Sequence, residues 1–62
     1  MDKRRCTEAE FRLASKVWTE GWLPIGSEER RLVSAFIAHP HAHVTEEQSE
    51  QLAMLAARLR LS

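Results

Sequence analysis

The chain has 62 residues, nine basic and nine acidic side chains that give a formal net charge of zero, and one cysteine, Cys6. A chain of this length forms one domain at most and buries only about 60% of the surface that it exposes when unfolded, so a metal or a second subunit would help its small core. A single cysteine excludes an internal disulfide, and zero net charge argues against a dominant attraction to nucleic acid or anionic lipid.

The N-terminal segment bears on the cellular location of the protein. The opening MDKRRCTEAEF has a basic start but lacks the apolar run of a secretory signal. No later segment approaches the roughly 20 apolar residues that a membrane-spanning helix needs. We therefore expect a soluble cytoplasmic protein with no membrane partner, in a reducing compartment where an unpaired thiol persists.

The first predicted helix covers residues 7–20. Thr7 and Glu10 have the spacing of a capping box, in which each side chain bonds the backbone N–H of the other residue. Gly21 is expected to adopt the left-handed conformation that often ends a helix. The apolar positions span about 200° of the helix circumference, which predicts contacts with more than one element because a single neighbour requires only about 100°. These positions are Ala9, Phe11, Leu13, Ala14, Val17 and Trp18.

The loop after this helix, GWLPIG, is too apolar for a free linker. We expect Trp22, Leu23 and Ile25 to fold over one end of the protein. In so short a chain Trp18 and Trp22 are expected mainly in the core. The alternative is that they anchor a partner, since tryptophan is enriched at the energetic centres of protein interfaces.

The second predicted helix covers residues 27–38, with Ser27 as its N-terminal cap. Pro40 disfavours helical geometry at His39, so the helix should end near Ala38. The sequence LVSAFIA leaves little polar surface, which predicts a central, well-buried helix.

Three histidines, His39, His41 and His43, alternate between the second and third helices. In an extended backbone alternate side chains share a side, so the three could converge on a zinc, copper or nickel ion. A structural zinc site would need a further ligand, for which Cys6 or Glu46 would have to lie nearby. Because no paired-cysteine spacing supports such a site, we expect a polar turn, no metal and no cofactor, and no strand pattern competes with the helices.

The third predicted helix covers residues 45–61, and Thr45 with Gln48 repeats the capping-box pattern. One side should pack on the other helices through Leu52, Leu55, Ala56 and Leu59. A second apolar side, formed by Met54, Ala57 and Leu61, would be exposed on a lone bundle and is a predicted contact surface.

These elements predict an all-α fold, a three-helix bundle that occupies residues 1–62 as one domain and forms a homodimer. An enzyme is not expected, because Cys6 lies before the first helix with neither a pocket nor oxyanion donors evident. The resulting hypothesis is a protein–protein interaction module, a regulator or inhibitor of the kind that phages and mobile elements encode. Its predicted contact residues are Trp18, Trp22, Met54, Ala57 and Leu61.

The alternative hypothesis is a DNA-binding regulator with a helix-turn-helix. The second and third helices could be arranged in this way, but the turn between them exceeds the usual roughly 3–4 residues. The third helix also begins with TEEQSEQ, and its glutamates would oppose insertion beside phosphates. Nucleic acid is therefore the less favoured partner.

Overall fold

The computed structural model describes residues 2–61, so both ends of the predicted 1–62 domain lie outside the described residues. Its helices are α1 (Glu8–Glu20), α2 (Glu28–Ile37) and α3 (Glu46–Arg58), which confirms the predicted helical bundle. Two short strands are added to it: β1 (Arg4–Arg5) precedes α1, and β2 (His43–Val44) lies between α2 and α3.

The helix starts follow the capping signals in the sequence. Thr7 accepts a hydrogen bond from the Glu10 N–H at 3.2 Å, and Thr45 accepts one from the Gln48 N–H at 3.1 Å. In both cases the return bond from the cap N–H to the side chain is present, so both predicted capping boxes are confirmed. Ser27 caps α2 by accepting from the backbone of the third residue of that helix at 3.1 Å.

The end of α1 differs from the prediction. Gly21 is right-handed, with φ −83°, and donates to the Val17 carbonyl at 2.7 Å. The left-handed position falls one residue later, on Trp22, whose φ is +53°. Gly21 is needed for a different reason: an added Cβ would collide with the Val17 carbonyl and lie 3.2 Å from Leu59 Cδ1.

The third helix ends at Arg58, earlier than the predicted residue 61. Arg60 is left-handed, with φ +59°, and donates to the Ala57 carbonyl at 3.1 Å. Leu61 donates to the Ala56 carbonyl at 2.8 Å. These two bonds define a Schellman motif, which turns the chain back and packs Leu61 against the core.

The two-stranded ribbon was not predicted. Arg4 pairs with Val44 and Arg5 with His43 in antiparallel register, and the Cys6 N–H donates to the Ala42 carbonyl at 2.9 Å. The pairing brings the segment before α1 against the segment before α3. The ribbon thus covers one side of the core.

The second helix, α2, is central as predicted, but it is less buried than predicted, because most of its apolar residues are only partly buried. Val33 and Phe36 are fully buried, and α1 and α3 both pack against this helix. Ala9, which was predicted on the apolar face of α1, is exposed. The buried set is Cys6, Ala14, Val17, Val33, Phe36, Ala42, Val44, Leu52, Leu55 and Ala56.

None of the helices within residues 2–61 combines the length and the apolar character needed to cross a membrane.

Candidate functional site

The three histidines do not converge on one point. His39 stacks on Phe11, with 5.1 Å between ring centroids, and its Nδ1 lies 3.3 Å from the Cys6 carbonyl oxygen. His41 and His43 are exposed, while Ala42 and Val44, which alternate with them, are buried. Across residues 2–61 no group of three His, Cys, Asp or Glu side chains has an arrangement that could hold a metal ion.

Cys6 is a core residue and is only 4% exposed. Burial is the main cause that raises the pKa of its thiol. His39 contacts the Cys6 carbonyl and not the sulfur, and the sulfur lies 3.9 Å from the Phe36 carbonyl oxygen. The thiol is therefore buried, and burial favours its protonated form.

Trp18 belongs partly to the core. It is half-buried and packs against the buried cluster. Its outer face is covered by Arg30, whose guanidinium carbon lies 4.3 Å from the ring centroid in a cation–π contact. The ring thus packs between the core and Arg30, and it is less exposed than Trp22.

Trp22 and Ile25 are placed quite differently. Trp22 is 93% exposed and Ile25 is 90% exposed, so the expectation that they fold over the end of the bundle is wrong. Of the segment predicted to do so, only Leu23 packs against the core. We call residues 21–27 the Trp22 loop. Two large apolar side chains therefore project into solvent from one short loop.

The Trp22 loop is ordered by its own hydrogen bonds. Arg30 Nη1 donates to the Leu23 carbonyl at 3.2 Å, and the Ser27 N–H donates to the Pro24 carbonyl at 3.1 Å. Gly26, with φ +84°, supplies the left-handed third position that a type II turn requires. Because the backbone is fixed in this way, the exposed side chains are presented without the ordering entropy that a floppy loop would lose on binding.

A second apolar surface lies on α3. Met54 is 71% exposed, and Ala53 and Ala57 lie beside it in solvent. We call these three residues the α3 outer face. Met54 also borders an open groove between α2 and α3, with Leu32 and Leu55 among its apolar lining. Leu61, which was predicted on this surface, instead packs against the core through the Schellman motif.

The Trp22 loop adjoins the C-terminal end of α3, the helix that carries the α3 outer face. Gly21, at the start of the Trp22 loop, lies against Leu59, which caps the C-terminus of α3. On the opposite side of the loop, Glu29 in the first turn of α2 forms an ion pair with Arg58 at 3.8 Å. The structure thus brings Trp22 close to the C-terminal end of α3.

Ile25 was predicted to pack on the bundle in this region, and Arg30 was not predicted to contribute to it. The signal for Ile25 was the Pro24-Ile25-Gly26 order, since proline and glycine flanking one residue define a tight turn that leaves the enclosed side chain outside. Arg30 had no comparable signal, because its contacts with Trp18 and Leu23 depend on how α1 and α2 pack.

Comparisons with known proteins give no relative: no family model, no curated protein and no solved structure matches this chain.

Proposed function

We propose that this protein is a small interaction module that binds another protein through the Trp22 loop and so regulates or inhibits it. The observation that carries the proposal is the nearly complete exposure of Trp22 and Ile25 on an ordered loop. Aromatic side chains of this kind supply much of the binding energy at protein interfaces, where they fill pockets of the partner.

Folding alone does not account for a tryptophan at position 22. A side chain with a Cβ in the left-handed region costs roughly 1–2 kcal/mol, and glycine would avoid this cost. A fully exposed indole also recovers almost no free energy from burial. Trp22 thus strains the backbone of the isolated chain and gains almost nothing from burial in return, as expected for a residue whose role is binding.

Trp22→Gly separates stability from binding. The variant should keep the helical circular-dichroism spectrum, and its free energy of unfolding should rise by about 1 kcal/mol, because the left-handed backbone strain is relieved. Its affinity for the partner recovered by the wild-type chain from the native host should fall by roughly tenfold or more, measured by calorimetry.

Arg60→Gly is the matched control. Arg60 is also left-handed but carries no exposed apolar ring, so glycine there should stabilise the fold while the affinity of a single Trp22 loop for the partner stays unchanged. Unaltered partner affinity in Trp22→Gly would contradict the proposal.

DNA binding, the alternative hypothesis, has weaker support. The exposed side chains in the first half of α3 include Glu46, Glu47 and Glu50, which phosphates would repel. A gel shift at nanomolar protein that survives competitor DNA would favour this alternative over protein binding.

A further inference from the structure

The charges on the exposed side of α3 are divided between its two ends. Glu47 and Glu50 lie in the N-terminal half, and Arg58 and Arg60 lie at the C-terminal end. The α3 outer face, formed by Ala53, Met54 and Ala57, lies between them. The helix therefore presents acid, an apolar centre and base in that order along its length.

We propose that the α3 outer face pairs with the same face of a second copy of this chain, with the two helices antiparallel, so that the dimer displays one Trp22 loop at each end. The pairing is inferred from the charges and the exposed side chains of α3. The use of the two loops to hold a partner rests on the proposed function.

Charge selects a second copy and fixes its direction. In an antiparallel pair the acidic half of each α3 lies opposite the basic end of the other. The positive end of each helix dipole also lies beside the negative end of the other, which is favourable. A parallel pair would place Glu50 beside Glu50 and Arg58 beside Arg58. Because the formal charge of the whole chain is zero, two copies meet without net repulsion.

The side chains at the centre suit close contact. Ala53 and Ala57 have no bulk beyond Cβ, which lets two helices approach closely, and Met54 is flexible enough to fill the space between them. A two-fold axis near Ala53 and Met54 uses one patch twice, as in most homodimers. Met54 would then lie near the α2–α3 groove of the other copy, where Leu32 and Leu55 offer apolar contact.

The antiparallel arrangement determines where the Trp22 loops lie. The loop adjoins the C-terminal end of α3 through the contact of Gly21 with Leu59. With the helices reversed, the two loops lie at opposite ends of the paired helices, and a helix of 13 residues is about 20 Å long. Such a dimer binds two partner molecules, or two sites on one, with the gain in avidity that bivalence gives.

Disulfide trapping tests the direction. Glu50→Cys and Ala57→Cys variants should cross-link to each other when mixed under mild oxidation, and much less to themselves. The wild-type chain is the control, since its buried Cys6 should give no covalent dimer. Preferential cross-linking of each variant to itself would overturn the antiparallel pairing, because a parallel pair aligns identical positions.

Sedimentation velocity tests the surface. The wild-type chain should be a dimer at tens of micromolar, and Met54→Glu should raise its dissociation constant by about tenfold or more, through buried charge and like-charge repulsion. Ser34→Glu, an exposed change on α2, should leave the dimer intact. A wild-type monomer, or a dimer indifferent to Met54→Glu, would overturn the proposal.

Different variants test the proposed dimer and the proposed binding of a partner, so either proposal could fail without the other. Met54→Glu should keep the affinity of a single Trp22 loop for the partner and lose only the avidity seen on a surface with densely immobilised partner. Trp22→Gly should keep the dimer and lose the partner. A variant with Trp22→Gly that becomes monomeric would show that the loop, and not α3, holds the copies together.

Discussion

Glu10 connects three elements of the structure through one carboxylate. Its two oxygens accept from Arg4 Nη1 and Nη2, each at 2.8 Å, and from the Ser49 hydroxyl. It also accepts from the Thr7 N–H at 2.9 Å, which completes the capping box of α1. This side chain, which is 14% exposed, thus ties β1, α1 and α3 together.

These bonds hold the pKa of Glu10 well below its usual range. The largest cause is the hydrogen-bonded Arg4, bonds from Ser49 and Thr7 add to it, and partial burial opposes them. A carboxyl whose pKa is lower in the folded state stabilises the fold above its unfolded pKa, about 4.3, and loses that contribution as pH falls toward the folded value. The chain should therefore lose stability progressively below about pH 4.

Glu10→Gln separates the two roles of this residue. Glutamine still serves in a capping box, so the helix start survives, while the charge-assisted bonds with Arg4 are weakened. We expect the free energy of unfolding of this variant, measured with urea at pH 7, to be roughly 1–3 kcal/mol lower than that of the wild-type chain. The difference from wild type should shrink as pH falls toward 2, because the wild-type carboxyl is then approaching its own protonation.

Thr7→Ala is the companion variant. It removes the cap hydroxyl but leaves the Arg4 pair, so its loss of about 1 kcal/mol should vary less with pH. A Glu10→Gln penalty that is the same at every pH would show that charge is not what Glu10 contributes.

Two of the three helices end on a left-handed residue that carries a side chain. Trp22 follows α1 and Arg60 follows α3, both at the position where glycine is commonest. At the end of α3 the two Schellman hydrogen bonds impose this geometry on Arg60, whereas at the end of α1 the Gly21 N–H bonds the Val17 carbonyl and the left-handed Trp22 follows. Both ends therefore contain unfavourable conformations that substitution could relieve.

Arg60→Gly tests this at the end of α3, and Arg60 has no proposed role in holding the partner of the Trp22 loop. We expect thermal unfolding to shift upward, with a stabilisation of about 1 kcal/mol, because the Schellman bonds remain and the left-handed strain disappears. Arg60→Ala provides the comparison, since it removes the guanidinium and keeps the Cβ. If alanine stabilises as much as glycine, charge and not backbone strain is responsible.

A substitution at Gly21 should lower the stability of the fold, in contrast to Arg60→Gly. An added methyl would collide with the Val17 carbonyl and press on Leu59, so Gly21→Ala should destabilise the chain by roughly 1–3 kcal/mol. Equilibrium urea unfolding measures the difference. A neutral Gly21→Ala would mean that α1 can end without this close approach.

The burial of Cys6 depends on the tertiary fold as a whole. The ribbon brings Cys6 to Ala42, and the thiol then lies among core residues from α1 and α2. Because a buried thiol with a raised pKa reacts slowly, its reaction with a thiol reagent reports how often the fold opens.

We expect Cys6 to react at least about 100-fold more slowly in the native protein than in urea, followed by absorbance at neutral pH. A Cys6→Ala chain with Ser34→Cys offers an exposed thiol on α2 and should react rapidly in both states. Equal rates for Cys6 in the native and unfolded protein would contradict the burial. Chelator should not alter the native rate, since residues 2–61 contain no metal-ligand cluster on which the fold could depend.

The sequence by itself determined the helices and their starts. Thr7, Ser27 and Thr45 each bond a backbone N–H three residues away, so the signal and its consequence lie within one turn. The buried face of α2 was predictable for a similar reason, because its apolar spacing is visible along a single helix. In both cases the interacting groups are close neighbours in the chain.

Only the tertiary structure decided the ribbon, the position of Cys6 and the exposure of Trp22. The pairing of Arg4 with Val44 joins residues separated by most of the chain, and strands this short have no periodic pattern to reveal them. Trp22 is exposed, while Arg30, from α2, lies over Trp18 and donates to the Leu23 carbonyl of the same loop. Apolar composition shows that a side chain would gain from burial, but whether a space remains for it depends on how the helices pack.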